Sequence, residues 1–246
     1  MTTKRPVAIV ANGAFYVGPA LARQLATRGY DLVIGSPSKE LVTELQALGA
    51  SVEVVENVFT LEEELASERL VDAALSRFGR LDSACAFSGL IVTGRFMRST
   101  EEDLERVVAG CLTTPYRFLK AILPPMIEAK AGQILILTSA AGTRPTPGAP
   151  LYSSVRAGAT MLVRNVAQEM APLGIQVNAL GTNFMDFPEF LRANRIVDAE
   201  SRAKVEAQTP MGRLGTMEEC AAMCAAFLDG TSRFQTGQFI SYTGGW

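Results

Sequence analysis

Ser139, Tyr152 and Arg156 are the residues whose types and spacing could carry out acid–base chemistry. The serine closes a strand-like run, GQILILTS (132–139). The tyrosine follows 13 positions later and the arginine four beyond it, in YSSVR (152–156). Residues four apart share one face of a helix, so the phenol and the guanidinium can meet. A fixed cation beside a phenol favours the phenolate, and a tyrosine so placed can take a proton from a hydroxyl or return it. The chain has no histidine, which excludes every nucleophile scheme built on a Ser-His or Cys-His pair.

These residues need a scaffold, and the hydrophobic pattern describes one. Short β-branched runs alternate with longer amphipathic ones. Strands are expected at 6–12, 31–35, 51–57, within 81–89, and at 132–139, 174–181 and 237–245. Helices are expected at 18–29, 38–49, 61–78, 100–128 with breaks near Pro115 and Pro124–Pro125, 152–171 and 217–230. The stretch 182–209 reads as irregular. Strands alternating with helices imply a parallel sheet with right-handed crossovers. The expected fold is a single α/β domain over 1–246, a Rossmann-like three-layer sandwich with about seven parallel strands. Such sheets bind ligands beyond the carboxyl ends of their strands, where Asn12, Gly89, Ser139 and Gly181 fall.

Composition narrows the function. Hydrophobic residues make up 48% of the 246, enough for a sizeable core. The net charge of −2 comes from both signs mixed along the chain, so no nucleic-acid partner is expected. No apolar run approaches the roughly 18 residues that span a bilayer, and no signal-peptide pattern opens the sequence. A cytoplasmic location and no membrane partner are expected. The four cysteines, Cys85, Cys111, Cys220 and Cys224, form no CxxC pair, and they read as buried thiols in a reducing compartment, with no metal expected.

With these features in place, the chain resembles the short-chain dehydrogenase/reductase superfamily over nearly its whole length. FGRLD (78–82), PPM (124–126), GIQVNALG (174–181), GRLGT (212–216) and the closing TGQ…GG (236–245) carry the likeness beside the Ser and Tyr. Several positions depart from it. The glycine-rich turn appears as Ala11-Asn12-Gly13-Ala14-Phe15-Tyr16-Val17-Gly18, with Tyr16 at the middle glycine that lets a pyrophosphate approach the helix. The end of the second strand, DLVIGS (31–36), offers no acid for a ribose. NNAG is replaced by Ala86-Phe87-Ser88-Gly89, the helix asparagine falls at about Cys111, and the lysine is Arg156.

Taken together these departures resemble the halohydrin dehalogenases on the same fold. That resemblance implies a cofactor-independent, reversible conversion of vicinal halohydrins to epoxides, releasing halide and a proton, with ring opening by small anions in reverse. It implies Ser139, Tyr152 and Arg156 as the catalytic residues. Phe15, Tyr16, Thr182, Asn183, Phe184 and Met185 would bind halide, and Phe87, Ser88 and Phe187 would line the substrate pocket. Ordinary packing for Phe15, Phe184 and Met185 and a turn role for Asn183 stay open. The partners implied are a small halohydrin or epoxide, a halide, and three further copies of the chain in a homotetramer. The alternatives are an NAD(P)H-dependent short-chain reductase with a degenerate turn, and a catalytically inactive binding scaffold. Because Trp246 directly follows Gly244-Gly245, no long tail remains to enter a neighbouring pocket, and an open site is expected.

Overall fold

The computed structural model describes residues 5–87 and 90–246, so Ser88 and Gly89 lie outside the described residues. Seven parallel strands form one sheet in the order β3-β2-β1-β4-β5-β6-β7. They are β1 (Val7–Val10), β2 (Asp31–Gly35), β3 (Val52–Val55), β4 (Ser83–Phe87), β5 (Gly132–Ser139), β6 (Ile175–Thr182) and β7 (Phe239–Tyr242). The central strands are buried end to end because helices cover both faces, which is why they read as unbroken apolar runs. One apolar cluster packs Leu21, Leu25, Leu32 and Ile34 with Leu135 and Leu228. On the opposite face Ile9, Leu70, Phe118, Ile122 and Ile134 pack with Ile175.

The helices are α1 (Gly18–Thr27), α2 (Lys39–Ala47), α3 (Ala66–Phe78), α4 (Glu101–Val108), α5 (Thr114–Ala129), α6 (Pro150–Met170), α7 (Pro188–Ala193), α8 (Ala199–Glu206) and α9 (Met217–Leu228). Strands 31–35 and 132–139 fall where the pattern placed them; most other elements are shorter at their ends, while β6 runs one residue further, to Thr182, and α6 starts two residues earlier, at Pro150. Two differences are physical. The long helix does not break at Pro124–Pro125, which sit inside α5. It changes pitch earlier, in a π-helical turn over Ala109–Thr113, where the Cys111 thiol donates to the Leu90 carbonyl at 3.3 Å. The stretch 182–209 holds two helices. In α8 the Asp198 and Ser201 side chains cap each other's backbone. Its polar face lacks the apolar period that marks a helix in sequence.

The strand order reverses direction between β1 and β4, which creates a crevice above their carboxyl ends. The turn leaving β1 leads into α1 through a close contact. A methyl group on Gly18 would stand 1.8 Å from the Asn12 carbonyl oxygen. That oxygen is backbone and cannot step aside, so only glycine lets α1 approach the strand. Gly18→Ala is expected to destabilise the protein by about 1–3 kcal/mol, read as a lower denaturant midpoint at unchanged slope; an unchanged midpoint would show that the turn can shift freely.

All four cysteines are buried, and none forms a disulfide among the described residues. Burial pushes the Cys85 and Cys224 thiols far above the ordinary thiol range, which matches inert core residues. Among the described residues no cluster of Cys, Asp or Glu could hold a metal ion, and no helix is long and apolar enough to cross a membrane.

Candidate active site

Ser139 ends β5 because the chain turns at once into a 3-10 segment, Ala140–Thr143. Its Oγ accepts from the Ala141 backbone N–H at 3.2 Å. That leaves the hydroxyl hydrogen to donate elsewhere. Tyr152 lies in the first turn of α6, which Pro150 opens where a missing N–H is harmless. One turn on, Arg156 places its guanidinium carbon 4.9 Å from the Tyr152 ring centroid. Arg156 is 2% exposed. Burial works against its charge, but the facing Tyr152 and Cys111 outweigh it and hold the guanidinium above its already high range. The side chain is therefore a permanent buried cation against the tyrosine.

Ser139, Tyr152 and Arg156 all line one cavity of about 590 Å³ at the carboxyl ends of the strands. Phe15, Tyr16, Phe87, Thr182, Asn183, Phe184, Met185 and Phe187 line it too. The structure thus gathers every described site residue expected from sequence into one place. The wall is largely apolar.

The turn between β1 and α1 supplies the most telling feature. Tyr16 has φ 53°, the left-handed backbone that suits glycine. The local fold of a glycine turn is kept, at a strain of about 1–2 kcal/mol, while a ring is added. That ring crosses to β6, where its hydroxyl donates to Thr182 Oγ1 at 2.7 Å. Thr182 is in register with Ser139 across the β5–β6 ladder, so the Tyr16 phenol ends beside the serine's strand end. Burial, with Cys220 adding to it, raises the phenol well above its ordinary range, so it stays neutral. Phe187 lies 4.6 Å from the Tyr16 ring, and Phe87 meets it edge-on at 5.8 Å. Phe15 completes the cluster at 6.2 Å from Tyr16.

The loop that brings Phe187 over Tyr16 is pinned at its base. Met185 bridges Gly215, the Asp186 N–H donates to the Gly215 carbonyl at 2.8 Å, and the Gly215 N–H donates to the Phe184 carbonyl at 2.9 Å. Met185 packs into the core and Phe184 against Phe190 and Trp246. The Asn183 side-chain carbonyl accepts from the next backbone N–H at 2.9 Å, the behaviour of a turn residue. The open readings of these three residues as packing and turn are thus satisfied alongside their place on the wall.

Sequence reasoning missed the outer rim. Arg144 and Trp246 both line the cavity, and the Arg144 guanidinium carbon lies 4.4 Å over the Trp246 ring. Trp246 stands on the rim of this cavity, its ring 5.5 Å from that of Phe184. Nothing in a terminal Gly-Gly-Trp signals a contact with residue 144, because the pairing is made only by the fold.

This geometry defines a class: a parallel-sheet protein with a serine and a tyrosine lining one cavity at the carboxyl ends of its strands. The family model described as enoyl-(acyl carrier protein) reductase matches residues 14–246, and the chain belongs to that family, within the short-chain dehydrogenase/reductase superfamily. The chain is 26% identical over 249 residues to the 3-oxoacyl-[acyl-carrier-protein] reductase of Thermotoga maritima, covering 100% of this chain and 99% of that protein. It is 28% identical over 247 residues to the same enzyme of Vibrio cholerae, covering 100% and 98%. Among solved structures, an NADPH-dependent reductase involved in bacilysin biosynthesis superposes with a TM-score of 0.87 at 22% identity, over 98% of each chain.

These relatives overturn the expected dehalogenase. They match the chain end to end and carry reductase names, so the reading as a carbon–halide lyase acting on halohydrins does not hold. The dehalogenase resemblance rested on a handful of positions, whereas the match to reductases extends over the whole chain.

The fold implies a nicotinamide dinucleotide, and the phosphate end of the crevice does not fit one as it stands. A pyrophosphate needs bare backbone against the start of α1. There the Tyr16 ring, tied to Thr182 and covered by Phe187, fills the approach. The end of β2 offers no acid: Ser36 follows Gly35, and its Oγ is already accepting from the Val58 N–H at 2.9 Å.

Proposed function

We propose that this chain is an oxidoreductase of the short-chain reductase type, acting at the carbonyl or carbinol oxygen of a small, largely apolar substrate. The observation that carries the reading is the placement of Ser139 and Tyr152 on one wall of an apolar cavity, in a chain whose curated relatives are reductases. Ser139 donates its free hydroxyl hydrogen to the substrate oxygen and orients it. With hydride supplied to the carbonyl carbon by a reduced nicotinamide, Tyr152 would give its proton to that oxygen, and in the reverse direction, with hydride leaving to the oxidised nicotinamide, would take it back. Arg156 stays charged and keeps the ring and its hydroxyl in place from the buried side. The chain's residues carry the proton; none of them carries the hydride.

The Tyr16 cluster favours one second reading, a scaffold that keeps the fold and the acid–base pair but no longer turns over a dinucleotide. One measurement separates the two. Purified protein is mixed with NADPH and a panel of small 3-oxo compounds, and absorbance loss at the nicotinamide band is followed together with alcohol formation. Coupled loss and formation support the reductase. Absence of both across the panel, with the protein folded, supports the scaffold and defeats the primary reading.

A further inference from the structure

We infer that Arg144, lying over the Trp246 ring at the mouth of the cavity, is a specificity-determining residue that receives a carboxylate on the substrate's outer end. This names the substrate class within the reductase reading and rests on it: small oxo or hydroxy acids with an apolar middle. Three charged side chains line the cavity, Arg144, Arg156 and Glu189. Arg156 is buried against Tyr152 at the inner end. The Glu189 carboxylate is engaged by Arg192. Arg144 is exposed, and among the described residues no carboxylate pairs with it; its contact is the indole face at 4.4 Å.

The geometry suits an anion. The indole contact is a cation–π one, and among the described residues no ion pair occupies the N–H edge of the guanidinium. That edge matches the two oxygens of a carboxylate in a forked pair. Stacking also removes side-chain freedom before a ligand arrives, so less is lost on pairing. Trp246 is itself braced by Phe184, whose ring is buried beside Phe190. The cation is therefore presented beside an aromatic platform, and Phe184, Phe187 and Phe190 line the same cavity as Ser139 and Tyr152. A neutral ligand would find no use for it.

Trp246 is the only tryptophan in the chain, so its fluorescence reports on this rim directly. The test titrates the folded protein with 4-oxopentanoate and with its methyl ester, following Trp246 emission and, in parallel, heat by calorimetry. Saturable binding of the acid, five- to tenfold tighter than the ester, is expected, as for an exposed to half-buried ion pair. Arg144→Gln should erase the difference between acid and ester, and Arg144→Lys should keep part of it. Equal binding of acid and ester, an unchanged preference in Arg144→Gln, or no heat and no emission change with either ligand would each overturn the assignment. Neither readout requires turnover, so a failed reductase assay and a failed carboxylate site are told apart.

Discussion

Tyr152→Phe is expected to lower turnover at the substrate oxygen by about two to four orders of magnitude, the usual contribution of a positioned proton donor. The fold should survive. The phenylalanine ring fills the same volume, keeps its packing in the small cluster with Val107, Ala149 and Val155, and still offers a face to Arg156 at 4.9 Å. Only the hydroxyl is lost. Circular dichroism and a melting temperature close to that of the parent would show that the effect is chemical. Turnover within tenfold of the parent would remove Tyr152 from the mechanism and leave Ser139 without its partner.

Tyr16→Gly carries the second large effect, and its two consequences have opposite signs. Removing the ring opens the seat at the start of α1, so affinity for NADPH should rise at least tenfold, a gain of about 1.4 kcal/mol. The parent protein should bind it weakly, because Phe187 and the Tyr16–Thr182 hydrogen bond must be displaced first. Stability should fall. Loss of a packed aromatic ring costs about 3–5 kcal/mol, offset by about 1–2 kcal/mol from a backbone at φ 53° that glycine adopts without strain. Calorimetric titration with NADPH and a denaturant melt of both proteins measure the two together. Equal affinity in parent and variant would show that the ring does not guard the seat.

The two experiments address different ends of one cavity. In the proposed reaction Tyr152 would work at the oxygen, and Tyr16 would decide what can lie beside it. The position of Tyr16 is where chain and family part company. Its relatives' names point to reduction, yet the turn between β1 and α1 keeps the glycine conformation while placing an aromatic ring in the approach. A side chain in a backbone region that disfavours it persists only when its surroundings hold it there. Here the holding contacts are Thr182, Phe187 and Phe87.

Much of the scaffold was legible before any coordinates. Buried parallel strands are apolar along their whole length, so VAIV, DLVIG and GQILILTS announce themselves. The Ser139, Tyr152, Arg156 spacing was legible for the same reason, since a strand end and a helix repeat are local geometry. The helix α8 was not, because capping and ion pairs rather than an apolar face hold it. The break expected near Pro115 is there, since α5 begins at Thr114, but its form as a π-helical turn over Ala109–Thr113, where Cys111 and Gly110 fit against Leu90, was not legible. Asn183 and Met185 were read for a site role, and each also has a structural duty that sequence left open.

By itself, then, the sequence determined the alternating architecture, the spacing that sets Tyr152 and Arg156 on one helix face, and the aromatic Tyr16 in the turn after the first strand. These follow from period, spacing and residue type, which are properties of neighbouring positions. The tertiary structure alone decided that Tyr16 bonds Thr182, 166 residues away, that Phe187 covers it, and that Arg144 stacks on the last residue of the chain. Such contacts join segments that only the parallel sheet brings to one edge, and no local pattern encodes which distant side chain will be waiting there.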